Sequence, residues 1–231
     1  MLVNLPELAN LLIDPEYVTI SLTVGSENFH YLKGELTIIS TKDNIRKEAL
    51  ALFAKKGYYG TSMSEIADAV GINKASLYSH YLGKEALFLA VFEDVARLHE
   101  MLLEQIFETL NNMEIQNKLC YYFREYILYF YRNQEIFYFS NHSLFHVPIE
   151  LRKKLRDNYV DREKPFREKL EDIFTEGMEQ GIIRKGDPKK WVWSLKIKRD
   201  GVLGWMCGSP ELMEDCIEES WHDFWFGIIE R

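Results

Sequence analysis

The segment Thr61–Lys84 has the residue pattern of two short helices joined by a tight turn. Ser62, followed three residues later by Glu65, is a capping-box pattern of the kind that begins a helix. Gly71 permits the sharp turn, because it lacks the Cβ that penalises a positive φ. Asn73 is a favoured N-cap for the second helix, which starts directly after it. The segment is therefore predicted to form a helix-turn-helix.

The second of these helices is predicted to keep one polar face outside the protein. Leu77 and Tyr81 lie four residues apart, so both can point into a core. The side chains left pointing outward are small, hydroxyl-bearing, aromatic or basic: Lys74, Ala75, Ser76 and Tyr78. Such a face suits the major groove of DNA, where the first residues of a recognition helix contact base edges and its flanks contact phosphates.

The residues TSMSEIADAVGINKASLYSHYLGKEAL resemble the helix-turn-helix signature of the tetracycline-repressor (TetR) family of transcriptional regulators, and the likeness runs over residues 42–88. It implies an all-α protein with a three-helix helix-turn-helix DNA-binding domain, followed by a larger helical domain for effector binding and dimerisation. It also implies a set of DNA contacts, with Lys84 on a phosphate: Thr61, Ser62, Lys74, Ala75, Ser76, Tyr78, His80 and Lys84.

The charge distribution agrees with a DNA-facing module on an acidic body. The net charge of the 231 residues is −8, yet residues 41–85 carry seven basic and five acidic side chains. Binding to DNA should weaken with salt, because counterions are released on binding.

The three cysteines form no CxxC pair, and the chain shows no secretory signal and no membrane-spanning segment. These features predict a soluble, cytoplasmic protein.

Residues 1–40 lie outside the resemblance. Leu5–Leu12 favours a short helix, Tyr17–Val24 alternates as a β-strand does, and Phe29–Ile39 can return as a second strand. Two interpretations stand side by side: a β-hairpin extension, or a leader that is not part of the natural product. A mass of the native protein that corresponds to a chain starting at Met1 would exclude the second interpretation. The predicted domains are 1–40 for this extension, 41–87 for DNA binding, and 88–231 for effector binding and dimerisation.

The second half of the chain is rich in aromatic residues. Residues 121–145 contain eleven aromatics, many of them tyrosines, whose hydroxyls need partners when buried. Core packing is the simpler interpretation; a small-molecule pocket is the alternative, and the TetR resemblance places effector pockets here. The predicted ligand-binding residues are Tyr122, Tyr126, Tyr129, Phe130 and Phe137. Such walls suit an apolar, aromatic or cationic organic effector.

Five tryptophans fall within residues 191–225. This is more large aromatic side chains than a monomer is expected to keep away from solvent in so short a stretch. The family resemblance implies that the last two helices pair with their copies in a homodimer, whereas packing within one chain is the alternative. The predicted interface residues are Trp205, Ile217, Trp221, Phe224 and Trp225.

His142 and His146 have a metal-binding spacing but no third ligand nearby, so neither a metal nor a cofactor is predicted.

The predicted function is that of a DNA-binding transcriptional regulator. By the resemblance, it is a homodimeric repressor that binds a palindromic operator and is released by a small organic effector. One alternative is a DNA-binding regulator without any ligand. A more distant alternative is an enzyme that uses the aromatic pocket; because the chain has no nucleophile motif and no phosphate-binding loop, no enzymatic activity is expected.

Overall fold

A computed structural model of the protein describes residues 20–24, 27–32, 35–206 and 213–230. The described residues divide into two compact units, one formed by those up to 49 and by 62–87, and the other by 50–61 and those from 88 onward. The second half of the first helix is thus grouped with the second unit.

The described residues from 41 onward are mostly helical, as predicted. The helices are α1 (Thr41–Gly60), α2 (Met63–Val70), α3 (Lys74–His80), α4 (Lys84–Thr109), α5 (Ile115–Arg132), α6 (Gln134–Phe145), α7 (Ile149–Glu179), α8 (Pro188–Met206) and α9 (Met213–Ile228). No helix in the described ranges combines the length and the apolarity that crossing a membrane requires.

A three-stranded antiparallel sheet precedes the helices. Its strands are β1 (Ile20–Val24), β2 (Glu27–Leu32) and β3 (Glu35–Ile39), in the order β1-β2-β3. The predicted hairpin was therefore one strand short, because the stretch Phe29–Ile39 contains most of β2 and all of β3, which pair with each other. The helix predicted at Leu5–Leu12 lies outside the described residues.

The first unit has a small core beneath the helix-turn-helix. Ile45 and Ala49 of α1, Ile66 of α2 and Leu77 of α3 are fully buried. The predicted inward residues Leu77 and Tyr81 are confirmed, since Tyr81 is also buried. These apolar contacts determine which face of α3 remains outside.

The second unit is built around α5, which contacts α6, α7, α8 and α9. An aromatic cluster fills another part of its interior: the ring of Phe88 lies 4.9 Å from that of Phe53 and 5.0 Å from that of Phe139. All three side chains are completely buried. Helix α7 runs through Pro165 without interruption, from Ile149 to Glu179.

Four of the five predicted interface residues lie in the core of the second unit. Ile217, Trp221, Phe224 and Trp225 are each at most 9% exposed. They are buried because α9 packs on α5 and α7: the ring of Trp221 lies 5.9 Å from Phe123, and that of Phe224 lies 6.5 Å from Phe174. The prediction is corrected for these four, whereas the fifth residue, Trp205, is 81% exposed.

Candidate DNA-binding surface and effector cavity

Helix α2 begins and ends as its sequence predicts. The Ser62 hydroxyl accepts the backbone N–H of Glu65 at 3.2 Å, and the Glu65 carboxylate accepts the backbone N–H of Ser62 at 2.8 Å. Gly71 ends the helix with φ +77° and donates its N–H to the carbonyls of Ala67 and Asp68. A side chain at Gly71 would be strained in this left-handed conformation, so glycine here sets the angle at which the chain leaves α2.

Helix α3 is capped by Asn73, whose side-chain oxygen accepts the backbone N–H of Ser76 at 2.8 Å. On the inner side, the ring of Tyr81 lies 5.8 Å from the Lys42 amino group, and its hydroxyl accepts a hydrogen bond from Arg46 at 3.5 Å. The cap and these contacts hold the helix at both ends, so its outward face is presented by a fixed element.

The outward face of α3 carries the residues that the sequence predicted to contact DNA. Lys74, Ala75 and His80 are exposed, Ser76 is half-buried, and the Tyr78 ring is 43% exposed. These side chains offer hydrogen-bond donors and acceptors, a methyl group and a positive charge on one short helix. Such groups can read base edges in the major groove.

Thr61 does not offer its hydroxyl to DNA. The residue is only 1% exposed, and its hydroxyl lies 2.9 Å from the carbonyl oxygen of Gly57 and 3.2 Å from that of Leu52. The predicted contact is corrected: Thr61 stabilises the kink of α1 at Gly57, where φ is +69°. The neighbouring Ser62 is exposed, but its hydroxyl already serves the cap of α2.

Lys84 begins α4 and is half-buried. Burial lowers the pKa of its ammonium group, and the negative charge of Glu65 opposes that shift. The positive end of a helix dipole and a lysine at the same point attract an anion. This arrangement suits one DNA phosphate.

The second unit contains a cavity of about 340 Å³. Its wall is largely aromatic and comes from α4, α5, α6, α7 and α8; the rings include those of Phe92, Tyr126, Phe130, Phe137 and Tyr159. The volume is within the usual range for small-molecule sites, and so is this mixture of rings with a few polar groups.

Two buried polar groups face this cavity. The guanidinium of Arg199 lies 3.5 Å from the centre of the Tyr126 ring. The Nε2 of His99 lies 3.0 Å from the Tyr126 hydroxyl. Burial lowers the pKa of His99 to about 3, helped by the charges of Arg199 and Lys196, so its imidazole is neutral at physiological pH.

The predicted ligand-binding residues divide into two groups. Tyr126, Phe130 and Phe137 line the cavity. Tyr122 lies behind the wall, where its hydroxyl accepts a hydrogen bond from Arg199 at 2.6 Å, and Tyr129 lines a different groove beside Leu98. The sequence analysis identified neither Arg199 nor His99 as a cavity residue. An arginine among the tryptophans of α8 is the signal that could have indicated Arg199.

His142 does not face a metal site. Its Nδ1 lies 3.2 Å from the backbone carbonyl oxygen of Phe53, and its ring lies 5.6 Å from that of His146. Within the described ranges, no group of three histidine, cysteine or acidic residues is arranged to hold a metal ion.

An apolar row runs along the exposed side of α8. Trp193, Ile197 and Trp205 are 55%, 67% and 81% exposed, and with Gly201 they recur every four residues on one face. Phe226 of α9 is also 53% exposed. Large apolar side chains aligned in this way mark an interaction surface.

Comparison with known proteins gives matches for both parts of the chain. Residues 45–91 match the family model described as bacterial regulatory proteins, tetR family. The negative transcriptional regulator IcaR of the biofilm operon icaADBC in Staphylococcus aureus (strain Newman) is 36% identical over 77 residues. That match covers 33% of this chain and 36% of IcaR, so the chain is similar to about a third of this curated relative.

Most of the fold is similar to solved structures. AibR, in complex with isovaleryl coenzyme A and operator DNA, has a TM-score of 0.64 and 26% identity, over 80% of this chain and 96% of that one. The TetR family regulator PfmR from Thermus thermophilus has a TM-score of 0.61 and 28% identity, over 84% of this chain and 99% of that one.

Proposed function

This chain belongs to the TetR family of transcriptional regulators, and we propose that it represses transcription as a homodimer that a small organic effector releases from DNA. The observation that carries this proposal is the pairing of an exposed, capped recognition helix, α3, with an aromatic cavity in the second unit. The similarity to IcaR, a negative regulator, supports repression.

DNA binding is assigned to α3. Each subunit would insert Lys74, Ser76, Tyr78 and His80 into the major groove, and Lys84 would bind a phosphate at the edge of the site. A two-fold dimer would then require an operator with two inverted half-sites. The capping of α3 supports this assignment, since a rigid helix loses little entropy when it binds.

Dimerisation is assigned to the apolar row of α8, Trp193, Ile197, Gly201 and Trp205, together with Phe226 of α9. The exposure of this row supports the assignment, and so does Gly201, at which an added Cβ would meet no described atom within 4 Å beyond its chain neighbours and the adjacent backbone of α8. A glycine in the row allows the backbones of two such helices to approach closely. The partner surface would be the same row on a second copy, because a two-fold interface is self-complementary.

Replacing both Trp193 and Trp205 by glutamate should convert the dimer to a monomer, because four like charges would then meet in one apolar interface. Sedimentation velocity would measure the change, and circular dichroism would check that the helices persist. Ile149→Glu is the matched control, because it also charges a strongly exposed apolar residue but lies at the start of α7. A double variant that stays dimeric would contradict the assignment.

The effector site is assigned to the cavity. A ligand enclosed there would favour a state of the dimer in which the two recognition helices no longer fit the two half-sites. A coupling free energy of about 1–3 kcal/mol would change the affinity for DNA by about 5–150-fold. AibR, which was crystallised with both isovaleryl coenzyme A and operator DNA, supports a ligand-responsive regulator of this fold.

Lys84→Ala should weaken binding on every DNA sequence alike, because a phosphate contact carries no sequence information. The plot of log affinity against log salt should also lose about one unit of slope per subunit. Titrations with an operator selected from randomised duplexes and with a scrambled duplex, each at several salt concentrations, would measure both effects. Lys47→Ala is the control, an exposed lysine of α1 that is not assigned to DNA. A loss confined to the operator would contradict the phosphate role.

The sensor function is tested by linking two measurements. Compounds that raise the melting temperature of the protein are expected to lower its affinity for the selected operator. If every compound that binds leaves the operator complex unchanged, the protein regulates DNA without a ligand, and the effector part of the proposal fails.

A further inference from the structure

The buried charges around the cavity are not equally compensated. Lys196 is hydrogen-bonded to Glu163, and the two side chains are 8% and 9% exposed, so this pair is closed within the protein. Arg199 is also buried, with a side chain 3% exposed, but its acidic partner Asp200 is 60% exposed to solvent. A carboxylate in water compensates a buried cation weakly, because water screens its charge.

Arg199 also keeps hydrogen-bonding capacity. Its Nε and Nη2 lie 2.8 and 2.7 Å from one oxygen of Asp200, and its Nη1 donates to the Tyr122 hydroxyl at 2.6 Å. A guanidinium has five N–H groups. At most three are engaged, so at least one on Nη1 and one on Nη2 have no acceptor among the described residues. The two lie on the terminal nitrogens, from which arginine binds carboxylates with two parallel hydrogen bonds.

The neighbouring groups do not favour a cation in the cavity. The charged and titratable groups of the wall are Arg199, the Asp200 carboxylate that is paired with it, and a neutral His99, whose protonation is opposed by burial and by Arg199 and Lys196. A positively charged ligand would lie beside a buried guanidinium, whose like charge repels it, while the one carboxylate of the wall is already paired with that guanidinium. Acids are therefore favoured over cations among the effectors that the aromatic walls alone would accept.

We infer that the effector is a small organic acid, whose carboxylate binds Arg199 and whose apolar body lies against Phe92, Phe130 and Phe137. This inference rests on the proposed function and adds the chemical class of the ligand. The carboxylate takes the place of Asp200, whose exposed side chain turns into solvent. The exchange replaces a screened ion pair by an enclosed one that also uses the two remaining N–H groups.

The size of the cavity limits the rest of the molecule. A volume of about 340 Å³ lies near the lower end of the range of roughly 300–1,000 Å³ that small-molecule sites have. Monocarboxylic acids with a phenyl ring or a medium-length alkyl chain have this size. The intact coenzyme A moiety is far larger, so an acyl-coenzyme A could place its acyl end inside but would not present a carboxylate to Arg199.

The first test compares ligands that differ in charge alone. Isothermal titration calorimetry on the full-length protein would use phenylbutyrate, its amide and phenylbutylamine, and also octanoate with octanamide. Each acid should bind at least about tenfold more tightly than its amide, because a hydrogen bond to a charged partner is worth more than a neutral one. The amine should bind most weakly. Equal binding of acids and amides, or no binding by either acid, would overturn the inference, as would isovaleryl coenzyme A binding in place of both acids.

The second test uses two variants of the anion site. Asp200→Asn should tighten phenylbutyrate binding severalfold, because it removes the carboxylate that competes for Arg199. Arg199→Gln should abolish the preference for acid over amide. If Arg199→Gln does not fold, Asp200→Asn still decides the matter, since Asp200 is exposed and the asparagine keeps a side-chain oxygen that can accept from Arg199. Unchanged or weaker phenylbutyrate binding by Asp200→Asn would contradict the displacement.

A third measurement separates this inference from the proposed function. The acids would be added to the complex of the protein with its selected operator, and release would be followed by fluorescence anisotropy. An acid that binds at the Arg199 site and releases DNA supports both proposals. An acid that binds there without affecting the complex supports the ligand class and contradicts the sensor function.

Discussion

Replacing Tyr78 by alanine is expected to weaken binding to the selected operator by about 30-fold or more. Tyr78 lies on the exposed face of α3 and is 43% exposed, so the substitution removes a proposed DNA contact and leaves the core unchanged. A lost base contact costs about 1–3 kcal/mol, and a two-fold dimer loses it twice, which gives about 2–6 kcal/mol. Fluorescence anisotropy with the operator would measure the loss.

The same experiment contains its own controls. Tyr138→Ala removes a tyrosine of similar exposure from α6 and should leave operator affinity within about twofold, because a surface substitution away from the site changes little. On a scrambled duplex, Tyr78→Ala should have a much smaller effect than on the operator, in contrast to Lys84→Ala. Unchanged operator binding by Tyr78→Ala would contradict the assignment of α3 as the recognition helix.

Glu163→Ala is expected to destabilise the protein by about 3–5 kcal/mol, the usual cost of breaking a buried ion pair from one side. The substitution leaves Lys196 buried without its carboxylate partner, and it also removes the carboxylate 3.8 Å from Arg167. Burial already lowers the pKa of Lys196 while Glu163 raises it, so without Glu163 the lysine should lose its proton more readily. The loss of stability should therefore shrink as pH rises. Urea unfolding at several pH values would measure it.

Two further variants make the interpretation specific. Glu163→Met combined with Lys196→Met should be near neutral, or more stable than the natural protein by about 1–4 kcal/mol, because a desolvated pair is replaced by packed apolar groups. Glu168→Ala breaks an exposed pair with Lys164 and should change stability by less than about 0.5 kcal/mol. If the double variant were as unstable as Glu163→Ala, the loss of stability could not come from an unpaired buried charge. The explanation by charge pairing would then be wrong, and apolar packing around these two side chains would explain the loss.

The helix-turn-helix could be predicted from sequence because short-range rules determine it. The cap at Ser62, the left-handed Gly71 and the cap at Asn73 all involve residues within three or four positions of one another. The inward direction of Leu77 and Tyr81 follows from helical spacing alone. Thr61 was the exception, since its burial depends on carbonyl groups of a kinked α1.

The effector cavity could be predicted only in part, because it depends on which helices meet. Periodicity within α5 selected Tyr126 and Phe130 but could not separate them from Tyr122, which shares their face and lies behind the wall. Arg199 lies more than sixty residues further along the chain, and no local pattern connects it to these rings. Contacts of this kind arise from tertiary packing.

The tryptophan-rich C-terminal region shows the same limit. An apolar helix face predicts burial, yet burial against the same chain and burial against a second copy produce identical sequence patterns. The structure separates the two: Trp221 and Trp225 of α9 pack inside the unit, whereas Trp193 and Trp205 of α8 remain outside. The interface that we propose therefore has α8, and not α9, at its centre.

The most direct test is repeated selection of the DNA sequence that the full-length protein binds, starting from randomised duplexes. We predict enrichment of one inverted repeat, with half-sites about one helical turn apart, and loss of that enrichment in Tyr78→Ala. Failure to enrich any sequence, or a selected site with no two-fold symmetry, would contradict the account of a dimer that presents α3 to DNA twice.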